Sequence, residues 1–87
     1  MANIPLKRKR EIARRFNSII KNPVFDMGEY GPVYFQFNEK TGRLEYGDCT
    51  NSGFCACGGI DYDDTMSLDC NILALYDKAE SWARANA

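Results

Sequence analysis

Four cysteines, a run of aspartates and a block of lysine and arginine are the side chains of this 87-residue sequence that could do chemistry. There is no histidine, so Ser-His-Asp and Cys-His arrangements and His-ligated metal sites are excluded. Cys49, Cys55, Cys57 and Cys70 are spaced C-x5-C-x-C-x12-C. Structural zinc sites use tighter knuckles, whose short loop turns two thiolates toward one ion. Cys55 and Cys57 alternate on a predicted strand and so share one face, which is not a knuckle. The absence of C-x-x-C removes the redox motif. Reduced thiols are therefore expected ahead of a disulfide or a zinc site, with no metal and no cofactor. A cysteine-metal structural module is kept as an alternative.

The acidic cluster Asp61, Asp63, Asp64 and Asp69 invites a calcium reading, which fails on position. Counted from Asp61, the glycine and glutamate of a calcium loop would have to stand at Met66 and Ile72. Asp64 and Asp69 are explained by capping and by the positive end of a helix dipole. Asp61 and Asp63 are expected on one strand face as a like-charged pair. No nucleophile–base constellation accompanies them, so no catalytic residue is expected and the chain is read as a non-enzyme.

Charge is segregated along the chain. Residues 1–24 carry seven basic side chains against Glu11, a net +6, and the remainder carries four against eleven acids, a net −7. Such a dipolar surface steers charged partners. Two binding faces follow as candidates: an acidic one at Asp61, Asp63 and Asp64, and a basic one at Lys7, Arg10, Arg14 and Lys21. The bland alternative is a solvated helix on an acidic body.

The elements that must position these groups can be read from hydrophobic period. Ile12, Phe16, Ile19 and Ile20, with Ala13 beside them, form one apolar helix stripe, and Lys7, Arg10, Arg14, Asn17 and Lys21 fall opposite. Pro5 suits the first turn, and Pro23 should stop the helix near Lys21 or Asn22. Val33, Phe35 and Phe37 alternate with Tyr34, Gln36 and Asn38 as a half-buried strand. Gly42 closes the hairpin to a return strand, Arg43 to Cys49, and Thr50 to Gly53 is a second turn. Phe54 to Asp63 is the third strand, with Gly58-Gly59 read as a bulge. Residues 23–32 are expected to loop, anchored by Val24 and Phe25. Leu68, Ile72, Leu75, Tyr76, Ala79 and Ala83 give a second helix, N-capped by Ser67.

The expected architecture is α+β, one domain across residues 1–87 with residues 1–4 frayed. Its order is α-β-β-β-α, a three-stranded antiparallel meander packed against two amphipathic helices. The predicted core is Ile12, Phe16, Ile20, Phe35, Phe37, Leu44, Ile72, Leu75 and Tyr76. Tyr34 and Tyr46 are candidate exposed platforms for stacking on bases. No apolar stretch reaches the roughly 18–20 residues of a membrane span, and no apolar run follows Lys7 to Arg10 as a secretory signal would require.

Four runs, Gly42 to Gly47, Thr50 to Phe54, Ile60 to Asp63 and Ser67 to Asn71, resemble small accessory proteins of bacteriophages and mobile elements, over residues 42–76. The resemblance implies a compact non-catalytic inhibitor of bacterial defence, of the anti-CRISPR kind. Its partner would be a host macromolecular complex such as a CRISPR effector nuclease, met in the bacterial cytoplasm and not at a membrane. The alternative is a small DNA- or RNA-binding accessory factor that uses the basic helix.

Overall fold

The computed structural model describes residues 4–87. The expected fraying of residues 1–3 lies outside them, and Ile4, expected to fray as well, is instead buried in the core. Helix α1 spans Leu6–Ile19, with Pro5 at its N-cap. Strand β1 is Val24–Asp26, β2 is Pro32–Asn38, β3 is Arg43–Thr50 and β4 is Gly53–Asp61, and helix α2 spans Leu68–Asn86. The class is α+β. The four strands form one antiparallel sheet in the order β1-β2-β3-β4.

The expectation of three strands was therefore one short. By sequence residues 24–26 are expected to loop, because the four residues between Pro23 and Gly28 are too few to show an alternation. They become a strand by pairing Val24 with Tyr34 and Phe25 with Val33, while Phe35 N–H donates to the Pro23 carbonyl at 2.8 Å. The pairing sets Phe25 against Phe35, with ring centroids 4.5 Å apart, and edge-on to Tyr76 at 5.7 Å. Phe25 thus anchors the segment to the core as expected, whereas Val24, opposite Tyr34 and outside the core, holds it through the ladder.

Cross-strand pairs Phe35–Tyr46, Phe37–Leu44 and Leu44–Ile60 put their side chains on one sheet face. Ile12 and Phe16 of α1 and Leu68, Leu75, Ala79 and Ala83 of α2 cover that face in a single core. Ile20, Phe37, Ile72 and Tyr76 pack around its margin. Helix α1 ends at Ile19, two residues before the predicted stop, and Ile19 itself stands 46% exposed instead of completing the apolar stripe. At the start of α2 the Ser67 hydroxyl accepts from Cys70 N–H at 3.1 Å, the cap that its position predicts.

Strand β4 begins at Gly53 and stops at Asp61, two residues short of the predicted end. It does carry a bulge: Tyr46 pairs with Gly58 and Gly47 with Ala56, so the extra residue is Cys57, one place before the glycine pair. Gly58 is required there for a separate reason. A Cβ on it would meet the Tyr46 hydroxyl, and would lie 2.6 Å from the ring carbon beneath it. The bare backbone lets the Tyr46 ring lie over β4 and reach Trp82, at 5.2 Å between centroids. Tyr46 is consequently 3% exposed, which corrects its reading as an open platform.

Candidate functional site

The three aspartates expected to form an acidic face are spread over separate jobs. Asp61, at the end of β4, stands 3.3 Å from Arg43 Nε across the ladder, an ion pair whose alignment falls short of a hydrogen bond. Asp64 accepts from Arg8 at 2.8 Å, and Arg8 also holds Glu11 at 2.6 Å. The Arg8 guanidinium is held above its ordinary value chiefly by the Asp64 hydrogen bond. Asp63 lies beyond the strand, so it shares no strand face with Asp61. Its carboxylate accepts from the Thr65 hydroxyl and, at 3.0 Å, from Thr65 N–H, and these bonds hold it below the usual carboxylate range. Asp64 does not cap α2, because Ser67 does.

The basic helix divides differently. Arg8 goes to Asp64, and Lys9 Nζ donates to the Lys40 carbonyl at 3.1 Å, tying α1 to the β2–β3 turn. Lys7, Arg10 and Arg14 are exposed and make no ion pair among the described residues. Spaced i, i+3, i+7, they fall within an arc of about 60° and a rise of about 10 Å. With Leu6, and with Glu39 from the β2–β3 turn, they line an open groove along the helix. Lys21 lies beyond the helix end, exposed and unpaired among the described residues. The helix thus keeps cations in its first turns without the acidic partners that the dipole favours.

A second depression continues past Arg14. Phe16 and Asn17 of α1, with Ile20 and Pro23 just past its end, meet Tyr34, Gln36 and Phe37 of β2 there, with Cys49 and Phe54 from β3 and β4. Tyr34, Gln36, Glu45, Cys49 and Phe54 belong to the sheet face that the helices leave uncovered, by strand alternation and the pairing of Cys49 with Phe54. Glu45 accepts from Gln36 at 2.8 Å and from Asn38 at 3.4 Å. Of these residues only Tyr34 is a binding candidate by sequence. Asn17 falls on the polar side of the helix by sequence, but nothing local ties it to Phe54.

The four cysteines are free and exposed. They do not converge: Cys49 pairs with Phe54 and Cys55 with Asp48, so Cys49 and Cys55 sit on opposite sheet faces. No group of three metal-binding side chains occurs among the described residues. Cys57 Sγ lies 3.8 Å from an Asp48 carboxylate oxygen, which also accepts from the Tyr30 hydroxyl at 3.2 Å. Although Cys57 as a residue is exposed, partial desolvation of its sulfur first, and the Asp48 charge second, push the thiol up, away from the thiolate a nucleophile needs. Burial likewise raises Tyr30 and Tyr46. No helix among the described residues is long and apolar enough to cross a membrane. No protein-family model, no curated protein and no solved structure matches the chain.

Proposed function

We propose that this chain is a non-catalytic binding module that holds nucleic-acid phosphates on the solvent face of α1. The observation that carries the reading is the row Lys7, Arg10 and Arg14, unpaired along an open groove while Asp61 and Asp64 are spent on arginines. Regularly spaced free cations suit a polyanion with evenly spaced charge. The other reading, inhibition of a bacterial defence complex such as a CRISPR effector through the acidic face, has less to work with. Two of its three carboxylates would first have to give up their arginines.

Anisotropy titration of labelled DNA and RNA between 50 and 200 mM salt tests the proposal. Three phosphate contacts correspond to a log–log slope of about −2.7 on duplex DNA and about −2.1 on a single strand. Reversing Arg10 and Arg14 to glutamate should abolish binding, whereas reversing Asp61 and Asp63 should leave it intact. Binding that is absent, or that ignores salt, refutes the reading.

A further inference from the structure

Two depressions lie end to end along α1, and they differ in chemistry. Leu6 to Arg14 run beside Glu39, and Asn17 to Pro23 run beside Tyr34 to Phe37, so the helix and β2 pass in opposite directions with a track between them. The first depression carries the three cations. The second, about 380 Å³, is within the size range of small-ligand sites, roughly 300–1,000 Å³. No lysine or arginine lines it, and Glu45 projects from the sheet face on which Tyr34 and Gln36 stand. A phosphate is therefore unwelcome there. A flat neutral ring is not: Tyr34, Phe37 and Phe54 are each part-exposed at its wall.

Two amides complete the site. Gln36 uses its Nε2 on Glu45, which fixes the side chain and leaves its carbonyl oxygen free to accept. Asn17 sits one turn beyond Arg14 on the polar side of the helix, and its amide makes no side-chain bond among the described residues. Aromatic faces beside a cationic track, with amides able to meet a base edge, form the arrangement by which single strands are held. A duplex cannot use it, because its bases stay stacked and paired.

Resting on the phosphate-binding reading of α1, we infer that the ligand is single-stranded nucleic acid. Its backbone lies along Lys7, Arg10 and Arg14 while one unstacked base enters the Asn17–Tyr34–Phe54 depression. The charge pattern fixes the polarity of the contact: phosphates on the helix, base on the sheet.

The test titrates the full chain against labelled single-stranded oligonucleotides, the matching duplex and an abasic strand of equal length. The single strand should bind more tightly than the duplex, and the abasic strand should lose about tenfold. Phe54→Leu keeps an apolar side chain and removes the ring. Phe54→Leu should weaken single-strand binding by about tenfold with its salt slope unchanged, and leave duplex binding alone. Arg10→Ala with Arg14→Ala should lower the single-strand slope by about 1.4. Circular dichroism melts confirm that each variant is folded. Equal affinity for abasic and natural strands, or no loss in Phe54→Leu, overturns the base pocket while the salt slope keeps the α1 reading standing. A wild-type chain that binds no nucleic acid overturns both.

Discussion

Asn71 is the one buried polar side chain among the described residues, 1% exposed on the inner face of α2. Its Oδ1 accepts from Asp63 N–H at 2.8 Å, and its Nδ2 donates to the carbonyls of Asp63 at 3.0 Å and Ser67 at 2.8 Å. The amide therefore holds the whole connection from β4 to α2. Asn71→Asp keeps the shape and the bond from Asp63 N–H, but turns the two-proton donor into an oxygen facing two carbonyl oxygens. Both carbonyls keep one backbone partner each, from Met66 N–H and Asn71 N–H. The lost bonds cost about 1 kcal/mol apiece, and the charged oxygen against them adds a desolvation and repulsion penalty of roughly 1–3 kcal/mol. At neutral pH the total is about 3–5 kcal/mol, a large share of the roughly 4–13 kcal/mol available to a domain of this size. Burial and the carbonyls raise the introduced carboxyl's pKa above its unfolded value of about 3.9. The folded state then binds more protons than the unfolded one, so the deficit is smallest below that value and grows as pH rises toward the folded pKa. Asn71→Leu serves as the control, because it orphans Asp63 N–H at a cost of about 2–4 kcal/mol without adding a titrating group. Denaturant titrations of the three proteins at pH 4 and pH 7.5 give the differences directly. A deficit under about 1 kcal/mol at pH 7.5 refutes the reasoning, as does an aspartate variant whose deficit follows the leucine variant's across pH.

Leu75, with no exposed surface at the centre of the core, should cost about 2–5 kcal/mol on replacement by alanine, and a loss below about 1 kcal/mol in urea would mean the helix packs otherwise. Gly58→Ala should drive the Tyr46 ring off β4 and away from Trp82, read as lowered stability together with a changed tryptophan emission; an unchanged emission would show that the ring is not seated there. Cys57 should react with iodoacetamide more slowly than a free cysteine at pH 8, and Asp48→Asn should speed it, since Asp48 supports the raised thiol; peptide mapping by mass spectrometry follows each site, and no acceleration would remove Asp48 from the explanation.

The second helix was legible because its evidence is local. Leu68, Leu75, Ala79 and Ala83 repeat at helical spacing, and Ser67 stands where a cap must stand. The β2–β3 hairpin was equally plain, since alternation on both sides of Gly42, at φ +75°, leaves little choice of register. These features rest on backbone geometry and on which side of an element is apolar, and both are written within a dozen residues.

What the chain does with its charges was decided only when distant segments met. Arg8 and Asp64 lie 56 positions apart, and nothing around either one says that they pair while Arg10 and Arg14 do not. Strand β1 exists because Pro23 and Val24 find the edge of β2, and Tyr46 is buried because Gly58 across the ladder has no side chain. The depression beside α1 likewise draws Asn17 from the first helix and Phe54 from the last strand. Hydrophobic period fixes which face of each element turns inward. The partner of an exposed charge or an aromatic ring depends instead on which non-local neighbour packing delivers within a few ångströms, and only the folded chain contains that distance.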